Sequence, residues 1–423
     1  MARMIARSLI AAAGCGLAAV PLLAQSAAPA PTGTPARYDM RAGTVSGVGG
    51  QGARGAGMSM MLGGGGNSAA FQHELLLRLG SARAADRGAP RADHFMPPAA
   101  QLGKSVALVA PREERGFTDE LPQRPKGRML IYWGCGEHAP KGQPVIIDFA
   151  KLAAGQVPPG LWSSTIVRDW GPTAANSRSF VRWPAEDGKY VKAESALPGP
   201  HRVVSNFTPE IAFTLTNDFM QPLRSRTMNV PSGAKNLLWT GIPAATGYLA
   251  TLFGGQMSDR GEMADMVMWS SSASRQFGGG LADWLTPAQV AGLVRDRTVL
   301  PPTASSCMIP AEVIRDAGQF RMGTLTAFGP EENFAYPPRP PAAKSWNYDW
   351  TARIRHRSTT SWMDMAGMEA MNGMAGGMGN GPDEDDKPQP RNCPPPKRGG
   401  FGGLGGALGG VLGGMGGGKQ PGC

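Results

Sequence analysis

Histidine is scarce in this sequence, which limits the metal chemistry the chain can support. The 423 residues include only five histidines, and none stands at metal-ligand spacing from another. Zinc sites usually draw their ligands from closely spaced histidines and cysteines. The sequence therefore argues against a structural or catalytic zinc site.

The signatures of common catalytic and nucleotide-binding sites are also missing. The chain contains no G-x-S-x-G, no H-E-x-x-H and no G-x-x-x-x-G-K-[ST], which are the motifs of α/β-hydrolases, zinc proteases and P-loop enzymes. The stretch "SGAK" sets Ser232 and Lys235 at the S-x-x-K spacing of penicillin-binding proteins, but the K-T-G element of that family is absent. We expect a protein that is not an enzyme, with an exported hydrolase as the weaker alternative.

No long apolar run occurs in the middle of the chain, and the apolar stretch near residue 20 resembles a signal peptide. Arg3 and Arg7 precede "AAAGCGLAAVPLLAQSA", which gives the basic start, apolar centre and small residues of a secretory signal. Residues 1–27 are therefore predicted to be a signal peptide, and the protein to be periplasmic, outer-envelope or extracellular. Lipidation at Cys15 is the alternative, because "AAGC" resembles a lipoprotein cleavage site.

Cysteine is rare as well. The cysteines after the predicted signal are Cys135, Cys307, Cys393 and Cys423. An even number in an exported chain indicates disulfides, and we favour Cys135–Cys307 in the folded part and Cys393–Cys423 in the tail. The stretch "GCGEH" also sets Cys135 beside Glu137 and His138, the residue types of a thiol nucleophile and its base. We favour the disulfide, because an exported cysteine is more often oxidised.

Glycine and proline are abundant, with 60 and 38 residues, and they concentrate at the two ends of the chain. Residues 28–68 are rich in Pro, Ala and Gly, and residues 361–423 are rich in Met, Gly and Pro. Low-complexity composition of this kind predicts a disordered arm and a disordered tail. The folded part is then expected between residues 69 and 360.

Short apolar runs in this central part indicate a mainly β fold. They are β-branched or aromatic and are separated by Gly, Pro, Asn and Ser, a spacing typical of a sandwich or barrel. The runs include "HELLLRLGS" (73–81), "RMLIYWGCG" (128–136), "STIVRDW" (164–170), "RSFVRW" (178–183), "EIAFTLT" (210–216), "GYLATLFGG" (247–255) and "DMVMWSSS" (265–272). We predict two tandem β-sandwich-like domains, residues 69–225 and 226–360.

A small helical insertion is predicted within the second domain, at residues 281–318. In "LTPAQVAGLVRDR", Thr286 is a candidate N-cap, Pro287 is suited to the first helical position, and Gln289 completes a capping box. The stretch "IPAEVIRDAG" (309–318) predicts a second, shorter helix that ends at its glycine.

The stretch "NLLWTGIPAATGYLATLFGG" (236–255) resembles strands B and C of a fibronectin type III domain. The resemblance implies an immunoglobulin or fibronectin III-like sandwich in which Trp239 and Tyr248 pack against each other between two sheets. It covers about 20 residues and implies no function. The stretches "YWGCGE", "WSSS" and "CMIPAEV" are similar to those of uncharacterised bacterial secreted proteins, which implies no activity either.

Ten tryptophans raise the question of surface recognition. Those expected to pack in the core are Trp133, Trp170, Trp183, Trp239 and Trp269. In "KSWNYDWTARIRHRSTTSW", an extended chain would place Arg353, Arg355 and Arg357 on one face between aromatic residues. Such a ribbon would suit an envelope polysaccharide or another anionic polymer, such as extracellular nucleic acid. The favoured interpretation is an edge strand whose arginines prevent unwanted pairing.

The tail has two patterns. Glycines recur every fourth residue in "GGFGGLGGALGGVLGGMGGG" (399–418), so self-association or membrane contact would be needed to make this stretch a helix. The methionines of the other pattern are Met363, Met365, Met368, Met371, Met374 and Met378. Thioethers suit Cu(I), so these residues are a candidate site for that ion.

The sequence as a whole predicts a non-catalytic, exported envelope or extracellular protein that binds or scaffolds an unknown ligand. No cofactor is expected for this function, and intracellular nucleic acid is not an expected partner. The alternative is a Cu(I)-binding protein that uses the methionines of the tail.

Overall fold

Strands dominate the structure, a computed structural model that describes residues 36–48, 71–111, 127–157, 167–185, 189–257, 263–277, 280–281, 283–342, 344 and 346–365. The first ten strands are β1 (Ala36–Gly47), β2 (Phe71–Ser81), β3 (Arg91–Phe95), β4 (Val106–Val109), β5 (Arg128–Trp133), β6 (Val145–Asp148), β7 (Ser179–Trp183), β8 (Tyr190–Val191), β9 (Gly199–Ser205) and β10 (Ile211–Leu215). They are followed by β11 (Ser225–Asn229), β12 (Lys235–Trp239), β13 (Gly247–Met257), β14 (Met263–Ser270), β15 (Ser306–Ile309), β16 (Phe320–Tyr336) and β17 (Trp350–Met365). The predicted mainly β fold class is confirmed.

Fourteen of the described strands form one large sheet. Its order is β10-β9-β3-β4-β7-β2-β1-β17-β16-β13-β14-β5-β6, and β8 also pairs with β2. Most neighbours are antiparallel, whereas β1 pairs with β17 and β14 pairs with β5 in parallel. Strands β11, β12 and β15 form a second, three-stranded sheet.

One half of the large sheet curls so that distant strands share a core. Alternation along β2 buries Leu75, Leu77 and Leu79. These leucines belong to the same hydrophobic cluster as Phe213 of β10, which lies at the far edge of the sheet. The ring of Phe213 stacks on Phe334 of β16 at 5.2 Å between centroids. Strands at the edge therefore fold back over the centre, which gives this half a sandwich-like interior.

The small sheet covers one face of the other half. Leu237 and Trp239 of β12 pack in one hydrophobic cluster with Leu252 of β13 and Trp269 of β14. Trp239 and Tyr248 lie 5.4 Å apart between ring centroids and belong to different sheets, so the contact implied by the fibronectin III resemblance is present. The described architecture does not identify a fibronectin III domain, because its large sheet has fourteen strands.

The predicted arm and domain boundary differ from the observed fold. Residues 36–47, expected in a disordered arm, form β1 at the centre of the large sheet. That sheet runs across the boundary expected between residues 225 and 226, because β1 joins β2 to the late strand β17. β17 also extends to Met365, five residues into the predicted tail. The remainder of the arm and tail lies outside the described residues.

In the part of the chain that the structure describes, three short α-helices accompany the strands: α1 (Phe149–Ala153), α2 (Pro287–Arg295) and α3 (Ala311–Asp316). Helices α2 and α3 confirm the predicted insertion. Thr286 accepts a hydrogen bond from the backbone N–H of Gln289, and the Gln289 side chain accepts one from Thr286, so the capping box is complete. Within the described residues, no helix is long and apolar enough to cross a membrane.

Candidate functional site

Four arginines and two aspartates form a buried group on one face of the sheet centre, named here the arginine–aspartate cluster. Its members are Asp39, Arg41, Arg78, Asp169, Arg353 and Arg355. Asp39 of β1 lies directly opposite Arg78 of β2 and Arg353 of β17 in the strand register. Cross-strand neighbours point to the same face. The pairing of β1 with β2 and β17 therefore assembles the cluster around Asp39.

Asp39 is at the centre of the hydrogen bonds of the cluster. Its carboxylate accepts from Arg78 Nη2 at 2.6 Å, from Arg355 Nη2 at 2.8 Å and from Arg353 Nε at 3.1 Å. Asp169 adds a second carboxylate from above the sheet and accepts from Arg78 Nη2 at 2.7 Å and from Arg41. Two carboxylates meet four guanidiniums in the cluster, and the more exposed Asp283 adds a third carboxylate 3.2 Å from Arg41, so arginines still outnumber carboxylates. Paired charges of this kind tolerate burial, whereas unpaired ones do not.

The arginines fix the ionisation of both carboxyls. Burial on its own would raise the pKa of Asp39, but Arg355, Arg78, Arg41 and Arg353 together outweigh burial and lower this pKa to about 2. The pKa of Asp169 is also held well below its usual range, because Arg41 and Arg78 outweigh its burial. Both groups are therefore anionic at neutral pH and unsuited to proton transfer there.

A groove of about 750 Å³ opens beside the cluster, where β1, β16 and β17 meet. We name it the aromatic–arginine groove. Its aromatic lining comprises Tyr38, Trp170, Phe334, Tyr336, Trp346 and Trp350, and its basic lining comprises Arg37, Arg339 and Arg353. Trp170 is 52% exposed and Tyr336 is 55% exposed, so the rim opens to solvent. This volume is typical of small-molecule sites.

The cluster positions one wall of the groove. Both oxygens of Asp169 bind arginines, and Oδ1 also accepts a hydrogen bond from the backbone N–H of Gly171 at 3.1 Å. Trp170 lies between these two anchored residues and therefore stands at the rim. Arg353 belongs to both sites, because it binds Asp39 and Asp169 and also lines the groove.

The opposite wall is built by the end of β16 and the segment that follows it. β16 pairs with β13 only as far as Phe328, and its register with β17 shifts before Glu331. Beyond the shift, residues 333–336 line the groove. The next residues, "PPRPP" (337–341), are proline-rich and therefore stiff. Arg339 lies 5.2 Å from the ring centroid of Trp346, a cation–π distance.

The predicted basic ribbon is corrected by these contacts. β17 is paired on both sides, with β1 and β16, so it is not an edge strand. The side chain of Arg355 is only 2% exposed, and Arg357 pairs with Glu74 at 2.8 Å. The three arginines do share a face, but that face turns towards acidic side chains. Arg353 alone of the three lines the groove.

The burial of the tryptophans differs in part from the sequence prediction. Trp183, Trp239 and Trp269 are buried, as predicted, and Trp133 is half-buried. Trp170 was expected in the core but is half exposed, because residues 167–170 form no strand. Arg37, Tyr336 and Arg339 were missed. The alternation of proline with aromatic and basic residues in "YPPRPPAAKSW" was the available signal for two of them.

The other described candidate residues lie outside the aromatic–arginine groove. Cys135 and Cys307 lie at disulfide distance, with 2.08 Å between their Sγ atoms, as predicted, and His138 contacts Glu312 at 3.1 Å. Lys235, of the S-x-x-K match, binds Asp364 at 2.7 Å. Cys393 and Cys423 lie outside the described residues.

The candidate Cu(I) ligands are only partly described. Met363 lies in β17 directly opposite Met322 of β16, and Met365 is the last residue of β17. The other four, Met368, Met371, Met374 and Met378, lie outside the described part of the chain. Among the described residues, no group of three or more His, Cys, Asp or Glu side chains could hold a metal ion.

The comparisons with known proteins give no family to compare with this geometry. No protein-family model matches the chain, and no curated protein matches it significantly.

Proposed function

We propose that the chain is a non-catalytic, exported binding protein of the cell envelope or the extracellular medium, and that its ligand lies in the aromatic–arginine groove. The observation that carries the proposal is the groove itself, which combines half-exposed rings at Trp170 and Tyr336 with arginine side chains. Aromatic faces and guanidinium groups bind ligands without needing to react with them.

Two further observations support this function. Asp39, the carboxyl in the lining of the groove, has a pKa of about 2, which suits a fixed charge better than a general acid or base. The cysteine pair at disulfide distance is consistent with export, because disulfides persist in oxidising compartments.

Binding of the purified chain to envelope fractions of the producing cells would test the proposal. We expect the wild-type protein and the variant Tyr190→Ala to bind, because Tyr190 is 38% exposed but lies outside the groove. The variants Tyr336→Ala and Trp170→Ala should lose most of the binding while keeping the thermal midpoint of the wild type. Equal binding by all four proteins would contradict a ligand site in the groove.

Export is tested separately. A fusion of residues 1–40 to a reporter that is active only after export should be active, and the natural protein should run as an oxidised species on a non-reducing gel. An inactive fusion together with reduced cysteines in the natural protein would contradict export.

Cu(I) binding is the second candidate, favoured by the cross-strand pair Met322 and Met363. A test deletion should begin at residue 366, because residues 361–365 belong to β17 and Asp364 pairs with Lys235 and Arg321. We expect copper to follow residues 366–423 stoichiometrically in a Cu(I) chelator competition if this function holds. Metal-free protein with and without the deletion would end the copper proposal.

A further inference from the structure

We propose that the ligand of the aromatic–arginine groove is an acidic polysaccharide, a chain of sugar rings that carries carboxylates at intervals. This inference rests on the function proposed above and names the class of ligand for the same groove.

The aromatic residues of the groove suit sugar rings. Tyr336 stacks on the buried Trp350 with 6.2 Å between centroids and 18° between planes, while more than half of its own surface stays exposed. Trp170 presents a second half-exposed ring at the rim. The C–H face of a pyranose packs on an aromatic face, and its hydroxyl groups remain in water. Half-exposed platforms therefore match a ligand that is apolar on its faces and polar at its edges.

The basic residues of the groove suit a carboxylate. Arg37 donates to the backbone oxygen and the side-chain Oδ1 of Asn176 at 3.0 and 2.9 Å. Within the described residues it makes no ion pair with a carboxylate. Burial lowers the pKa of Arg37, and repulsion from the nearby guanidinium of Arg353 lowers it further. Arg353 is itself 20% exposed. A carboxylate from the ligand would pair with the guanidinium of Arg37 in the planar geometry that arginine favours.

The density of charge favours a polysaccharide over a nucleic acid. A nucleic-acid strand carries one phosphate for every nucleotide, and its binding depends mainly on neutralising many of them. Among the described residues, three arginines and no lysine line the groove, and Arg353 is already bound to Asp39 and Asp169. So few cations suit a polymer whose charged groups are separated by uncharged sugar surface.

The test uses the full mature chain and three acidic polysaccharides as probes: polygalacturonate, alginate and hyaluronan. Each is paired with its carboxyl-reduced form, which keeps the sugar rings and removes the charge, and an oligo(dT) strand serves as the nucleic-acid probe. We expect at least one acidic polymer to bind, and we expect carboxyl reduction to weaken that binding about tenfold or more, the effect of losing one charge-assisted hydrogen bond. Binding should also weaken as NaCl is raised, because exposed charges are screened.

Variants locate the contact. Arg37→Ala should weaken binding about tenfold and Arg37→Lys less, because lysine keeps the charge but loses the planar pairing. Tyr336→Ala should weaken it while Tyr336→Phe keeps it, since the phenylalanine ring preserves the platform. The matched controls are Arg226→Ala, an exposed arginine of β11, and Tyr190→Ala, and both should bind like the wild type.

The outcomes separate the two proposals. If none of the acidic polymers binds, or if the carboxyl-reduced forms bind equally well, the polysaccharide inference is overturned. Tighter groove-dependent binding of oligo(dT) would overturn it in favour of a nucleic acid. In these cases, envelope binding that still depends on Tyr336 would leave the proposed function in place. Polymer and envelope binding that both ignore the groove variants would overturn both.

Discussion

Asp39 is the residue on which the centre of the molecule depends most. Its carboxylate is 1% exposed and accepts hydrogen bonds from arginines of three strands. Removing one partner from a buried ion group leaves the remaining charges unpaired, which costs several times more than breaking a pair at the surface. A cluster in which arginines outnumber carboxylates, even when the exposed Asp283 is counted, is especially sensitive to losing an anion.

We therefore expect Asp39→Asn to lower the free energy of unfolding by about 3–5 kcal/mol. The matched control is Asp283→Asn, because Asp283 also contacts Arg41, at 3.2 Å, but its side chain is 43% exposed. That change should cost no more than about 1 kcal/mol. Urea unfolding at pH 7 measures both values, and equal costs for the two variants would show that burial does not set the energetics of the cluster.

Gly43 shows how one missing side chain permits a contact across three strands. It lies between Glu74 of β2 and Arg357 of β17 in the register. A Cβ at this position would lie 2.4 Å from Cγ of Glu74. Because glycine leaves this space open, Glu74 and Arg357 meet over β1 at 2.8 Å. The sequence predicts this glycine to lie in a disordered arm. In the structure, its missing side chain leaves room for the contact between Glu74 and Arg357.

At the scale of the element, helix α2 is the clearest agreement between sequence and structure. Its capping box is local, since all its hydrogen bonds join Thr286 to Gln289. Signals confined to four residues do not depend on the rest of the fold, so they can be read directly from the sequence.

A pair of substitutions in α2 should change stability in opposite directions. Thr286→Ala removes the cap and should lower the free energy of unfolding by about 1 kcal/mol. Gly292→Ala should raise it by up to about 1 kcal/mol, because a Cβ there meets only the guanidinium of Arg295, at 3.7 Å. Thermal and urea unfolding of the two variants would check this, and a destabilised Gly292→Ala protein would contradict the open space beside the helix.

Strand β1 is the element that the sequence prediction missed. In "ARYDMRAGTVSG", Ala36, Tyr38, Met40 and Ala42 alternate with charged or small residues, which is a strand pattern. The apolar face packs in the core, and the other face carries the arginine–aspartate cluster. The Pro-, Ala- and Gly-rich sequence on either side obscures this short pattern. Its parallel partner β17 begins more than 300 residues later. The alternation indicates a strand but cannot indicate a partner at such a distance, and the low-complexity surroundings led to the prediction of a disordered arm.

The groove could not be predicted from the sequence either, because it is formed by parts of the chain that are far apart in sequence. Its walls come from β1, from residues 170–172 and from the end of β16 with the segment after it. The predicted basic ribbon "KSWNYDWTARIRHRSTTSW" contains Trp346, Trp350 and Arg353, and all three line the groove. It could not show that Asp169 binds to the cluster and so brings Trp170 to the rim, because that depends on contacts with three different strands.

At the scale of the whole molecule, several buried histidines make stability depend on pH. His94 donates or accepts in a chain that joins Tyr38, at 2.6 Å, to His201, at 3.0 Å. Burial lowers the pKa of His94, His201 and His73, and it lowers that of His356 to about 4. The unfolded chain takes up these protons near pH 6.5, whereas the folded chain does not.

Stability should therefore be highest above pH 6.5 and should fall as the pH drops towards about 4, the folded pKa of His356. His356 alone accounts for roughly 3 kcal/mol of this loss. We expect His356→Leu to reduce the loss, measured as the difference in the free energy of unfolding between pH 7 and pH 4.5. A pH dependence identical to that of the wild type would show that His356 does not titrate as described.

The central claim, that a ligand occupies the aromatic–arginine groove, is tested most directly by hydroxyl-radical footprinting of the mature chain. The labelling of Trp170, Tyr336 and Tyr190 would be compared with and without a polysaccharide extract of the producing cells. All three side chains are exposed, but Tyr190 lies outside the groove. If a ligand occupies the groove, we expect the extract to protect Trp170 and Tyr336 and to leave Tyr190 unchanged. Unchanged labelling of Trp170 and Tyr336 while the extract binds elsewhere on the protein would contradict it.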